Sequence, residues 1–531
     1  MSFDPNSPPP WQQPQYRPAP ELPVTSAYPK EPAESSPAAE SSPAAGASPA
    51  AGALLPLPFS AGELLAWLAI FGLTGLLFIS NVFLRPELAE RDWEQPVTEV
   101  TNAEILGKML YFSQELAPQF QQQGNLEDML GQLDSGPLEQ RYCQALALNE
   151  FDGPEAGLHQ LERIDELVER EGYQPNERQQ KLRGVVQKLL EARLENGALA
   201  EDALTAEEKE YLTKQLRWFG RLALNPEELP GAGRAEVRNQ AAKGTVVLFS
   251  AMGVGLAFVL AGCFGLLVFL MMLVLGRLQS WMPDRVGRGP IYAETFAIWL
   301  VGFFMAQFAL GALLQQFPLG LHFQMAALPT IFFVSLLALA WPVFRGVSFA
   351  QVREDIGWTT PRPISDVFAG LAGYASCTPL MGLALLATLV VAGLIMADRG
   401  EHELAGSSAP IHPIIGYIAS GDWIVIGLIY LATCVAAPIV EETMFRGVLF
   451  RSLRDRSAGL GRFASVAISA LLNSLVFAAI HPQGAFGIPV LTTLAIGFSL
   501  VRQWRDSLIA PIFMHALNNF MVTTFAVLLM A

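Results

Sequence analysis

The sequence predicts an all-α fold: a polytopic helical membrane protein with about nine transmembrane helices and an inserted soluble helical domain. Of the 531 residues, 52% are hydrophobic and 16% are charged, whereas soluble proteins average about 25% charged residues. The apolar residues are also clustered. About nine stretches of roughly 18 to 33 residues are almost free of charge, and a helix needs about 20 residues to cross a bilayer.

The N-terminal residues 1–54 are rich in Pro, Ala, Ser and Glu. This composition cannot bury a hydrophobic core, so we expect a disordered tail. The first apolar stretch, residues 59–84, starts too far from the N-terminus for an ordinary cleaved signal peptide. It is therefore predicted to be a transmembrane anchor helix.

Residues 85–243 are predicted to form an acidic soluble helical domain. They contain 18 Lys and Arg against 30 Asp and Glu and so carry most of the net charge of −15. Apolar residues recur at helical spacing within residues 158–167 and 182–190. Nucleic-acid binding requires a basic surface, so it is excluded as a function of this domain. Its expected use is to bind a protein partner.

The other eight apolar stretches predict transmembrane helices in residues 244–345 and a further membrane domain in residues 346–531. Arginines concentrate in alternate short loops, and basic loops stay in the cytoplasm. This places the N-terminus in the cytoplasm and residues 85–243 outside, in a bacterial-type inner (plasma) membrane. The arginines of residues 451–462 are expected to lie beside anionic lipid.

Ionisable side chains within apolar stretches are the candidates for function, because a charge in a bilayer is costly. Three pairs have the i, i+4 spacing that places both members on one helix face. They are Glu442 with Arg446, Phe477 with His481, and His515 with Asn519. Glu441 is rotated by about 100° from Glu442 and has no such partner.

Glu441 and His481 can belong to one site only if they lie at similar depths in the membrane. If the helix that carries Glu441 continues to about Arg456, Glu441 lies roughly 21 Å and His481 roughly 27 Å from the turn between their helices. The two groups can then meet. If the helix stopped at Val440, they would lie on opposite sides of the membrane.

Two chemical interpretations remain open for this set of residues. In the favoured one, which needs no cofactor, Glu441 and His481 take a proton from a water molecule that attacks a carbonyl. His515 and Asn519 would donate hydrogen bonds to the oxyanion. In the alternative, Glu441, His481 and His515 bind zinc, although the sequence contains no HExxH motif.

The three runs that begin at Glu441, Phe477 and His515 have the forms EExxxR, FxxxH and HxxxN. In these motifs the sequence resembles the CPBP intramembrane proteases, which include CAAX prenyl endopeptidases and bacteriocin-processing, Abi-like proteins. The resemblance covers about residues 350–531. It implies a membrane endopeptidase, glutamic-type or metal-dependent, that hydrolyses membrane-associated proteins or peptides with CAAX-type processing.

The resemblance also assigns roles by position. Glu441 matches the water-activating glutamate and His481 matches its partner, while His515 and Asn519 match the oxyanion-stabilising pair. The supporting residues are Glu442, Arg446, Phe477 and Asn518. The alternative function is a non-proteolytic membrane scaffold or immunity-type protein, whose soluble helical domain binds a partner.

Overall fold

The computed structural model describes residues 59–84, 98–113, 130–134, 137–196, 203–226, 231–277, 282–283, 287–317, 319–359, 361–399, 417–418 and 421–530. Within these ranges all regular structure is helical, and nine helices are long and apolar enough to cross a membrane. The predicted fold class is therefore confirmed. The predicted tail, residues 1–54, lies outside the described residues.

The helices fall into a soluble and a membrane group after the first span, α1 (Ala61–Ile79). The soluble group is α2 (Thr98–Tyr111), α3 (Leu138–Phe151), α4 (Pro154–Arg170), α5 (Glu177–Asn196) and α6 (Ala206–Leu224). The membrane group is α7 (Ala232–Val274), α8 (Gly289–Gln316), α9 (Leu321–Phe344), the short α10 (Phe349–Ile356), α11 (Pro363–Arg399), α12 (Trp423–Leu460), α13 (Arg462–Ala479), α14 (Gly484–Arg505) and α15 (Ile509–Met530).

The soluble helices share one apolar core, in which Cys143 and Trp218 are fully buried. Burial raises the pKa of the Cys143 thiol well above its usual range, so this thiol stays protonated. The turn between α3 and α4 has Gly153 at a φ of 97°, a conformation that favours glycine.

The helix α7 connects the soluble domain to the membrane without a break. Its 43 residues extend about 65 Å. Val237 and Ala241 belong to the core of the soluble domain, whereas Val246 and Phe249 are apolar and exposed, as lipid-facing residues are. The boundary predicted at residue 243 thus lies inside one helix, because an α-helix satisfies its own backbone hydrogen bonds in water and in lipid alike.

Contacts between helix ends follow the predicted alternation of the spans. Groups predicted to lie on the same side of the membrane meet in pairs. The pairs are Glu63 with Arg456, Arg288 with Asp355 and Arg505 with Asp366 at one side, and His322 with Asp422 at the other. These contacts support the relative order of the ends, and the assignment of one side to the cytoplasm stays a prediction.

The expectation that the arginines of residues 451–462 face lipid is wrong for three of them. Arg451 donates to the Pro283 carbonyl at 2.9 Å, and Arg454 donates to the Gln503 side chain at 3.1 Å. Arg456 donates to Glu63 at 2.5 Å. From the sequence, a basic loop predicts a contact with lipid. In the structure, oxygen atoms of the protein accept hydrogen bonds from these three guanidinium groups instead.

The pair formed by Glu63 and Arg456 holds α1 against α12. The Glu63 side chain is fully buried, and the Arg456 guanidinium also lies 4.1 Å from the centre of the Phe59 ring. Removing one partner of a buried ion pair leaves an uncompensated charge, whereas replacing both with apolar residues often costs little.

We expect Glu63→Ala or Arg456→Ala to lower the stability of the detergent-solubilised protein by about 3–5 kcal/mol. The double variant Glu63→Leu with Arg456→Met should regain most of this loss, because no charge is then left unpaired. The midpoints of unfolding of the four proteins measure the effect. Single variants as stable as the wild type would show that the pair does not hold α1 in place.

Candidate active site

The helix α12 places Glu441 and Glu442 at its middle. At about 1.5 Å per residue, Glu441 lies roughly 27 Å from Trp423 and roughly 29 Å from Leu460. The helix continues past Val440 and ends at Leu460. The condition for Glu441 and His481 to meet is therefore fulfilled.

The two glutamates lie between two π-helical segments of α12, Leu431–Ala436 and Thr443–Leu449. π-helical turns are rare and often occur at functional sites. Each wider turn rotates the following residues relative to an uninterrupted α-helix. The first segment, which precedes the glutamates, thus helps to set the direction in which Glu441 and Glu442 project.

Glu442 is the centre of a buried network of charged side chains. Its Oε1 accepts a hydrogen bond from Arg446 Nη1 at 3.0 Å and another from His515 Nδ1 at 2.9 Å. Both Glu442 and Arg446 are completely buried. Arg446 Nη2 donates in addition to the Ala495 carbonyl at 3.1 Å, so that the network joins α12, α14 and α15.

Aromatic rings enclose this network. The Arg446 guanidinium lies 4.6 Å from the centre of the Phe477 ring and 4.9 Å from that of Phe498. Phe498 also stacks on His515 with ring centres 5.4 Å apart. Phe477 therefore has a packing role here. Phe498 was not singled out from the sequence, because one aromatic residue in an apolar helix carries no distinguishing pattern.

Glu441 is the carboxylate that the network leaves without a direct partner. Among the described residues, no group donates a hydrogen bond to its enclosed Oε2 atom. His481 Nε2 lies 3.8 Å and His515 Nε2 lies 3.9 Å from this atom. These distances are too long for direct hydrogen bonds and suit a water molecule that bridges the three groups.

The other nitrogen of each imidazole is bound, and this fixes how the ring is turned. His481 Nδ1 lies 2.6 Å from the Phe477 carbonyl oxygen, which can only accept, so Nδ1 carries a proton. His515 Nδ1 faces Glu442 in the same way. Both rings thus direct Nε2 towards Glu441. In a neutral ring Nε2 is an acceptor, and in a protonated ring it is a donor.

Among the described contacts, none connects the Asn519 side chain with Glu441, His481 or His515. Its Nδ2 donates to the Thr433 carbonyl at 2.8 Å, within the first π-helical segment. Asn518 donates to Asn519 Oδ1 at 3.2 Å, and Tyr374 donates to Asn518 Oδ1 at 3.3 Å. The doublet therefore links α11, α12 and α15, and one amide hydrogen of Asn519 is already in use.

The zinc alternative requires Glu441, His481 and His515 as ligands. Their side chains lie close together but are not arranged as a metal site. In the part of the chain that the structure describes, no three or more His, Cys, Asp and Glu side chains are arranged to hold a metal ion. Ligands of a tetrahedral zinc lie about 2.0 Å from the metal and hence about 3.3 Å from one another. The separations of 3.8 and 3.9 Å exceed this value.

Comparison with known proteins matches the segment that contains this site. Residues 423–521 match the family described as type II CAAX prenyl endopeptidase Rce1-like. The chain is 35% identical over 94 residues to the membrane-embedded CAAX protease MroQ of Staphylococcus aureus (strain USA300), a match that covers 18% of this chain and 37% of MroQ. No solved structure matches the chain significantly. The resemblance predicted from the three motifs is thus confirmed for residues 423–521, the part of the chain that is related to the type II CAAX prenyl endopeptidase Rce1-like family.

Proposed function

We propose that this protein is a CAAX-type intramembrane endopeptidase that hydrolyses peptide bonds of membrane-associated proteins or peptides. The observation that carries the proposal is the enclosed Glu441 Oε2, which faces the Nε2 atoms of two differently anchored imidazoles. A carboxylate beside imidazole groups can bind a water molecule and take its proton.

In the proposed reaction, water lies between Glu441 and His481. The neutral His481 ring orients the water by accepting a hydrogen bond at Nε2. Glu441 takes the other proton as the water oxygen attacks the peptide carbonyl carbon. When the C–N bond breaks, the proton passes from Glu441 to the leaving amine nitrogen.

His515 is assigned to the oxyanion that forms on the attacked carbonyl. In the proposed reaction His515 carries a proton on each ring nitrogen, and its Nδ1 donates to Glu442. The protonated ring then donates from Nε2 to the oxyanion, a type of contact worth roughly 3–4 kcal/mol in transition-state stabilisation. Asn519 would contribute through its second amide hydrogen.

Residues outside the chemistry have supporting roles in the proposal. Glu442 and Arg446 hold His515 in position, and Phe477 encloses the guanidinium. The substrate is a membrane-associated polypeptide, because Glu441 lies at the middle of a membrane-spanning helix. The remaining proposals are a bacterial-type inner membrane location, a cytoplasmic N-terminus, and an extracytoplasmic soluble domain that binds a protein partner.

The adjacent glutamates offer a matched test of this assignment. Glu441→Gln should abolish cleavage and leave the fold intact, because Glu441 makes no direct hydrogen bond in the described structure. Glu442→Gln should instead lower stability by about 3–5 kcal/mol, since it leaves Arg446 buried without a counter-charge. Each purified protein would be incubated with a membrane-protein extract, and new peptide termini mapped by mass spectrometry.

Cleavage by folded Glu441→Gln at the wild-type rate would refute the catalytic assignment. Identical termini from both proteins, with Glu441→Gln less stable than the wild type, would favour the scaffold alternative. In that case the glutamate would hold helices together.

The metal-free chemistry predicts that chelators leave the reaction unchanged. Cleavage should proceed at the same rate after incubation with EDTA or 1,10-phenanthroline, because Glu441 and the imidazoles supply the base and the oxyanion donor. The rate of formation of the mapped termini is the measurement. Loss of cleavage in chelator with recovery on addition of zinc would contradict this chemistry.

A further inference from the structure

We propose that Asn81, in the π-helical segment Ser80–Leu84 that continues α1, is a positioning residue for His481. The inference rests on the proposed function in that His481 is taken as the partner of Glu441. It adds a residue that lies far outside the matched segment 423–521.

Asn81 contacts a residue 400 positions later in the chain. Asn81 Nδ2 donates a hydrogen bond to the backbone carbonyl of His481 at 3.1 Å. His481 follows the end of α13 at Ala479 and precedes the start of α14 at Gly484. Its carbonyl therefore lies in the turn between two helices, and Asn81 binds it there.

The opposite end of α1 is held by the helix that carries Glu441. The buried Glu63 binds Arg456, which follows Glu441 by 15 positions in α12. From Glu63 to Asn81 the helical rise is roughly 27 Å, and from Arg456 back to Glu441 it is roughly 22 Å. One helix thus contacts α12 at one end and the His481 turn at the other.

This arrangement makes α1 a brace between the two chain segments that supply Glu441 and His481. Its buried face packs beside α8, and Ala66 and Ile70 share an apolar cluster with Phe445 and Phe477. The separation of 3.8 Å between the Glu441 and His481 side chains depends on the level of each helix in the membrane. The hydrogen bond from Asn81 to the turn fixes the depth of His481 in the membrane.

The test measures the position of His481 without relying on catalysis. Histidine modification by diethyl pyrocarbonate would be followed by mass spectrometry in the full-length detergent-solubilised protein. The variant Asn81→Leu removes the donor and keeps the branched shape of the side chain, and Asn81→Gln retains an amide. Leu76→Ala, at a lipid-facing position of the same helix, is the control.

We expect Asn81→Leu to raise the modification rate of His481 several-fold, while His515 and the exposed His322 react as in the wild type. Leu76→Ala should leave all three rates unchanged, and Asn81→Gln should restore His481 at least in part. On a substrate found by terminus mapping, Asn81→Leu should lower kcat about tenfold or more with KM within about twofold, because misplacement of a reacting group affects the chemical step.

An unchanged His481 rate in folded Asn81→Leu would overturn the positioning role, whatever the activity. A raised His481 rate in a protein whose wild type shows no Glu441-dependent cleavage would uphold the contact and refute the proposed function. The two failures are therefore distinguishable.

Discussion

The candidate site depends on the buried hydrogen-bonded ion pair between Glu442 and Arg446. Neither side chain is exposed, although both belong to a helix long and apolar enough to span a membrane. Charges in such surroundings persist only when each has a partner of opposite charge and further hydrogen bonds. The Ala495 carbonyl and His515 supply these bonds, so the requirement to satisfy one ion pair fixes three helices relative to one another.

Because Glu442 pairs with the buried Arg446, the two adjacent glutamates have different surroundings, and we assign them different roles. Glu442 Oε1 accepts hydrogen bonds from Arg446 and His515, whereas Glu441, one position earlier, faces the two imidazoles across a gap. In the proposed reaction, the direction of the side chain alone thus distinguishes the structural carboxylate from the reactive one. Support for this arrangement extends beyond residues 423–521, because α1 contacts both the Glu441 helix and the His481 turn.

Much of the fold was predictable because it depends on local patterns. Apolar length predicted the spans, and the i, i+4 spacing predicted the pair of Glu442 with Arg446, which the structure contains. Contacts across long sequence separations were not predictable. The bonds of His515 to Glu442 and of Asn519 to the Thr433 carbonyl depend on how helices pack. Arg456 was misjudged because a basic loop does not reveal whether lipid or a carboxylate binds its charges.

The central claim is that Glu441, His481 and His515 surround one water molecule. An experimental structure of the wild-type protein in a lipid nanodisc, at a resolution that reveals ordered water, tests it most directly. We expect a single water within hydrogen-bond distance, about 2.6–3.2 Å, of Glu441 Oε2 and both Nε2 atoms. A metal ion about 2.0 Å from the same three atoms, or a separation of Glu441 from both rings, would contradict it.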